Sequence, residues 1–238
     1  MHDPARGPRA AAELARQRGL PLRPGEIIEP HGDGWLIRDR KGFVPCPWAF
    51  PLARFTPSRP GDRVLDLGCG SGVLLLALFQ VQPALRAGIG IELDAGAAEQ
   101  AGRNVRLAER PIQIVQGDVR QVPVAPRAFD LVISNPPFYP PGWGRESADA
   151  RTHGATHALA GDVADFARAA AHALTPHGRV VFVYDAGHLT ALLLAFAEAG
   201  LTVRALRFVD DDRGKPARVL VLAGRAGAGL IVEREPWR

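Results

Sequence analysis

The 238-residue chain is expected to fold as a doubly wound α/β protein, with a mostly parallel seven-stranded sheet, a final antiparallel strand and a small N-terminal cap. Three observations carry this expectation. From Arg63 onward, short apolar runs alternate with longer segments of helical periodicity, the pattern of a parallel sheet with helices on both faces. The first apolar run, 63–67, breaks into three alternating glycines, Gly68, Gly70 and Gly72, and an unbroken apolar stretch, 73–79, follows. Strand, glycine turn and helix open a nucleotide-binding βαβ unit, because glycine lets the backbone bend sharply and approach a ligand. The last two strand candidates, 201–209 and 217–223, are separated by a polar turn at 210–215. That is too short for a crossover, so these two must be antiparallel.

In chain order, residues 8–18 place Ala, Leu and Arg at helical spacing and stop at Gly19. Residues 26–29 and 35–38 flank His31-Gly32-Asp33-Gly34, a glycine-bearing connection that reads as a hairpin. Pro45, Pro47 and Pro51 interrupt any long element, although 48–55 has room for a helical turn or two. Residues 1–60 therefore read as a cap on a main domain of 61–238. In the main domain the strands fall at 63–67, 87–92, 111–115, 129–134, 178–184, 201–209 and 217–223, with helices at 71–80, 95–108, 162–174 and 187–199. There is no internal repeat and no low-complexity tail.

Composition narrows the class. Hydrophobic content of 47% with 23% charge is ordinary for a soluble domain. No run approaches the roughly 20 apolar residues of a membrane span, and residues 1–20 hold arginines without the apolar core of a secretory leader. Two cysteines, Cys46 and Cys69, make a disulfide framework implausible and point to a reducing cytoplasm. The net charge of +4 resides in residues 1–60, which hold 10 Arg/Lys against 6 Asp/Glu. Such an excess suits a polyanion such as RNA. An Arg-, Ala- and Gly-rich chain with two lysines, Lys41 and Lys215, is equally what GC-rich coding gives.

The candidate site residues cluster at strand ends. Glu92 closes the second strand 20 positions after Gly72, where a carboxylate can accept both ribose hydroxyls of an adenosine ligand. Asp94 is better read as the cap of the helix starting at residue 95. Asp118 follows Gly117 where the third strand ends, a pair that also makes ordinary turns. The fourth strand ends in Asn135-Pro136-Pro137-Phe138. His153 and His157 are four apart, but Gly154 and the lack of an acidic partner argue against a metal site. No metal is expected.

Asp66-x-Gly68-x-Gly70-x-Gly72 departs from the dinucleotide fingerprint, since Val73 stands where its third glycine belongs. The spacing resembles the first motif of the class I S-adenosylmethionine-dependent methyltransferases, which have a Rossmann-like sheet. The resemblance covers 62–222. It implies S-adenosylmethionine as cofactor, lined by Asp66, Gly68, Cys69, Gly70 and Gly72, with Glu92 on the ribose, Asp118 on the adenine amino group and Asn135 beside them. Asn135-Pro136-Pro137-Phe138 resembles the catalytic motif of enzymes that methylate exocyclic or amide nitrogens. Such a nitrogen is a poor nucleophile because its lone pair is delocalised. The Asn135 side-chain oxygen and the Pro136 carbonyl can each accept one N–H bond, which favours a tetrahedral nitrogen. The two prolines stiffen the loop, and Phe138 offers a stacking face.

Within the class, the aromatic, Arg-bearing segment 42–55, Phe138 followed by Tyr139, and Ala150-Arg151 look most like the bacterial tRNA(Val) adenine N-6 methyltransferases. Pro47-Trp48-Ala49 and Thr152-His153-Gly154 stand where that family usually carries an aspartate and a further acidic residue. The implied substrate is an adenine amino group in structured RNA, with tRNA the expected one. Two neighbouring aromatics favour stacking on a base, and Arg38, Arg40 and Lys41 offer phosphate contacts. Release-factor glutamine N-5 and rRNA guanine N-2 methyltransferases are the alternatives. A non-catalytic S-adenosylmethionine-binding module is a reading of another class, which has no need of nitrogen-orienting acceptors. No membrane partner is expected; the oligomeric state is open, with a monomer favoured.

Overall fold

The computed structural model of the chain describes residues 7–42, 46–137, 161–211, 213–227 and 229–235. It opens with helix α1 (Pro8–Gln17), the hairpin strands β1 (Glu26–His31) and β2 (Gly34–Asp39), and helix α2 (Ala49–Phe55). Strand and helix then alternate: β3 (Arg63–Leu67), α3 (Val73–Val81), β4 (Ala87–Glu92), α4 (Ala95–Ala108), β5 (Ile112–Gln116) and β6 (Phe129–Ser134). After the 23 residues at 138–160 come α5 (Val163–Ala173), β7 (Leu174–Asp185), α6 (Leu189–Glu198), β8 (Thr202–Asp210), β9 (Pro216–Gly224) and β10 (Ile231–Glu235).

The main sheet runs β5-β4-β3-β6-β7-β9-β8-β10. The strands from β5 to β7 are parallel neighbours, and β9 pairs antiparallel with both β7 and β8. All seven expected strands are present. An eighth, β10, was not anticipated and pairs parallel with β8 at the sheet edge. All five of its residues are exposed, so it carries no buried apolar run to betray it. Its ladder is reinforced instead by ion pairs from Arg207 to Glu233 at 2.7 Å and from Arg234 to Asp210 at 2.9 Å. Strand β7 also starts earlier than expected, because α5 ends at Ala173 and Leu174 already faces Phe129.

Helix α3 shows why the two layers must close on it. Every residue from Val73 to Phe79 is buried, and a helix apolar all round needs cover on both sides. The sheet covers one side through Val64, Leu131 and Ile133, while Leu52 and Ala53 of α2 belong to the same cluster. Leu36 of β2 joins it too. Burying Leu36 and Leu52 contributes about 2–3 kcal/mol each. The opposite face of the sheet packs against α5 and α6, with Phe166, Phe182 and Phe196 fully covered. A third cluster, Ala11, Ala15, Leu20, Ile28, Ile37 and Leu107, joins α1 and the hairpin to α4.

Two buried ion pairs fix elements far apart in the chain. Arg179 of β7 donates to both Asp62 oxygens at 2.8 Å and to the Pro57 carbonyl at 2.6 Å. Arg103 of α4 meets Glu26 of β1 and the Pro21 carbonyl. Because β5, β4, β3 and β6 are adjacent and parallel, their four C-terminal ends lie along one edge. That edge holds the Gly68–Gly72 turn, Glu92, Asp118 and Asn135.

Candidate active site

The glycine turn is built from left-handed backbone. Gly68, Gly70 and Gly72 have φ of 67°, 53° and 85°, where a side chain is strained. Between them Cys69 is buried against β4, and its sulfur would lie 2.7 Å from a Cβ placed on Gly90. Burial pushes the Cys69 thiol well up, so it acts as a small apolar residue here.

Glu92 leans across to this turn. Its Oε2 accepts from the Gly70 amide at 2.8 Å and its Oε1 from the Asp94 amide at 2.9 Å. Asp94 caps α4 as expected, accepting from the Ala97 amide at 2.7 Å. The Glu92 carbonyl accepts from Gly117, which aligns the next strand end. Beyond it, Asp118 caps a short turn at Val119–Gln121. Both Asp118 oxygens also meet the Arg120 guanidinium, with Nη2 at 2.5 Å, which holds this carboxyl below its usual range. Arg120 was not foreseen, and an adenine amino group would have to share Asp118 with it.

Asp66 is the most unusual group. It is completely buried, and among the described residues neither carboxylate oxygen has a hydrogen-bond partner. Burial, with the nearby negative charge of Glu92, pushes its pKa well above the carboxylate range. An orphaned buried carboxyl beside a second carboxylate suits a ligand that brings positive charge and donors.

On the fourth strand, Ser134 faces Leu67 in register and its hydroxyl donates to the Leu67 carbonyl at 2.6 Å. Asn135 therefore begins level with the glycine turn. Its Nδ2 donates to Cys46 Sγ at 3.5 Å, and its Oδ1 is buried without a partner among the described residues. Pro136 is buried and Pro137 half-buried. Phe138, Tyr139, Ala150, Arg151, His153 and His157 lie outside the described residues.

The N-terminal segment reaches the same edge. Asn104 of α4 is fully buried and bonds three ways: its Oδ1 accepts from the Ile37 amide, and its Nδ2 donates to the Ile37 and Ser71 carbonyls. His31 meets the Val73 carbonyl at 3.1 Å, and burial pushes its pKa down. Of the expected phosphate contacts, Arg38 pairs with Glu29 at 2.8 Å, whereas Arg40 and Lys41 are exposed. Neither Asn104 nor His31 carries a local sequence signal, because both roles need partners about 30 or more residues away.

The residues present fit S-adenosylmethionine. Glu92 can balance its positive charge, joined by Asp66 once that charge draws off its proton; Glu92 and Asp118 can accept from its nucleoside, and the glycine turn presents backbone with no side chain in the way. Among the described residues no group of three or more His, Cys, Asp or Glu is placed to hold a metal, and no helix is long and apolar enough to cross a membrane.

The sequence signature described as the methyltransferase small domain matches residues 51–199. A tRNA1(Val) (adenine(37)-N6)-methyltransferase of Aeromonas salmonicida is 33% identical over 177 residues, covering 73% of each chain. Its counterpart in Yersinia pestis is 33% identical over 187 residues, covering 76% of this chain and 73% of its own. Among solved structures, a ribosomal protein L11 methylase of Lactobacillus delbrueckii superposes with a TM-score of 0.54 at 17% identity, covering 75% of this chain and 77% of that one. A geranyl diphosphate methyltransferase superposes with a TM-score of 0.54 at 17% identity, covering 75% of this chain and 78% of that one.

Proposed function

We propose that this chain, which belongs to the methyltransferase small-domain family, uses S-adenosylmethionine to methylate the N6 amino group of an adenine in tRNA. The observation that carries the reading is Asn135: a buried amide oxygen without a partner, at the strand end level with the glycine turn. Relatives named for tRNA adenine N6 methylation, at 33% identity over three quarters of the chain, support the choice of substrate.

The cofactor supplies, when bound, a methyl group on a sulfonium. The chain's own residues then have two tasks. Asp66, Glu92, Asp118 and the turn at Gly68, Cys69, Gly70 and Gly72 bind and orient the cofactor. Asn135 Oδ1 and the Pro136 carbonyl accept the two N–H bonds of the target amino group, drawing its lone pair out of conjugation with the ring. The nitrogen gains the methyl group and loses one proton. Pro137 keeps the acceptors stiff and Phe138 provides the stacking face. Acceptors that are already in place cost no reorganisation in the transition state.

Residues 1–60 serve in this reading as a cap over the domain 61–238, supported by Asn104, which bonds both the hairpin and the glycine turn. Both cysteines are free thiols, consistent with work in a reducing cytoplasm. The test is transfer of label from S-adenosylmethionine to unmodified tRNA1(Val) and to purified release factor. The expected result is N6-methyladenine in the tRNA. Label in the release factor and none in tRNA overturns the substrate assignment.

A further inference from the structure

We infer that Cys46 is a positioning residue for Asn135, its sulfur holding the amide nitrogen so that the amide oxygen is turned toward the target amino group. The inference rests on the reading of Asn135 as an acceptor for the substrate N–H, and adds the residue that decides which end of the amide does the accepting.

A primary amide has two ends of nearly equal shape and opposite chemistry, two donors on nitrogen and an acceptor on oxygen. Turned over, Asn135 would meet an amino substrate with N–H against N–H. The partner of Nδ2 therefore matters as much as Oδ1 itself. In this structure that partner is Cys46 Sγ at 3.5 Å, a contact between residues 89 apart in sequence. Oδ1, buried and unpartnered among the described residues, is left to receive a donor.

The sulfur is held from behind. Its residue lies between Pro45 and Pro47, which limit the backbone. The Cys46 carbonyl accepts from the Ala49 amide at 3.2 Å, making the turn that starts α2. Helix α2 is anchored by Ala49, Leu52 and Ala53, each at most 1% exposed. A core helix thus sets the position of the thiol, and the thiol sets the amide. Burial pushes the thiol up to about 11, with Asp66 adding to the rise and the Trp48 amide and Arg218 opposing it. At neutral pH it stays a neutral thiol, too weakly acidic to leave its place as a reactive thiolate.

The experiment compares Cys46→Ala, Cys46→Val and Cys46→Ser in the full chain and again with Asn135→Ala, using unmodified tRNA1(Val) and labelled S-adenosylmethionine. Alanine and valine remove the acceptor, valine while keeping the space filled. Both should lower kcat about five- to tenfold, the scale of a misplaced catalytic group, and leave KM for cofactor and tRNA within about twofold. Serine restores an acceptor on a shorter bond and should recover part of the loss. With Asn135→Ala already present, the Cys46 changes should do nothing more. A second readout is the 15N side-chain amide signal that disappears in Asn135→Ala; it should shift in Cys46→Val. If Asn135→Ala keeps full turnover, the underlying reading of Asn135 fails. If Asn135→Ala is impaired but the Cys46 variants are not, or if they lose as much in both backgrounds, the positioning role is overturned and Asn135 stands.

Discussion

Glu92 and Gly70 are bound to each other: the carboxylate Oε2 accepts the Gly70 amide at 2.8 Å, while Oε1 accepts the amide of Asp94. The carboxylate is thereby fixed between the glycine turn and the start of α4 before any ligand arrives. Glu92→Ala removes the charged acceptor and frees an amide of the turn, a loss of about 1.5–3 kcal/mol. The dissociation constant for S-adenosylmethionine should rise roughly 10- to 150-fold by calorimetry. Glu92→Gln keeps one acceptor and should fall between. An unchanged constant for Glu92→Ala means that another carboxylate holds the ribose.

Asp66 should be a case where function is kept at the expense of stability. Its folded-state pKa lies above the unfolded value near 4, so over this range the folded chain binds more protons than the unfolded chain. Stability without cofactor therefore falls as pH rises from about 4 toward the raised pKa. Asp66→Asn removes that dependence, and its melting temperature relative to wild type should climb with pH. Its affinity for the positively charged cofactor should drop. A melting-temperature difference that is flat with pH refutes the burial argument.

Turnover should separate from cofactor binding at Asn135. Asn135→Ala removes an acceptor whose value appears mainly in the transition state, so kcat should fall about 10²- to 10³-fold. Cofactor affinity should change far less. Near-normal turnover on tRNA in this variant is incompatible with the proposed mechanism.

The Asp62–Arg179 pair should be the costliest surface-distant site to break. Both side chains are under 10% exposed, and among the described residues Arg179 has no other carboxylate as a hydrogen-bond partner. Arg179→Met strands the buried Asp62 charge and should cost about 3–5 kcal/mol in urea unfolding. Adding Asp62→Ala should cost less than the two single changes together, since no uncompensated charge remains.

Salt should separate an RNA substrate from a protein one. Phosphate contacts release counterions, so methylation of tRNA should weaken steeply between about 50 and 200 mM salt. Changing Arg40 and Lys41 together to Ala should flatten that dependence, because both are exposed. Arg38→Ala should matter less, since Glu29 already holds that guanidinium. An equal salt slope in the Arg40/Lys41 variant removes them from the RNA path.

Much of the fold was legible because its signals are local. The β3 strand, the three glycines and α3 occupy 19 consecutive residues, and each step is announced by burial pattern or by the left-handed φ that glycine supplies. Asp94 could be read as a cap, because a cap needs only the helix that follows it. Phe129–Ser134 could be read as a strand leading to Asn135, because all but one of its residues are buried. The edge strand β10 could not: Ile231 and Val232 are its only apolar residues, too short a run to mark a strand, and the structure leaves both exposed.

What the sequence alone determined is the list of strand ends and the chemistry they carry: Glu92, Asp118 and Asn135, each at the close of an apolar run, behind a glycine turn. What only the tertiary structure decided is which groups those residues meet. Arg120 rests on Asp118, Gly70 on Glu92, and Cys46 on Asn135 across 89 residues, while Asp66 is left with no partner among the described residues. The physical reason is that periodicity records whether a residue faces core or solvent, and that is set by its own strand or helix. The pairing of polar groups is set by how α2 and α4 pack on the sheet, a product of volumes contributed by the whole chain.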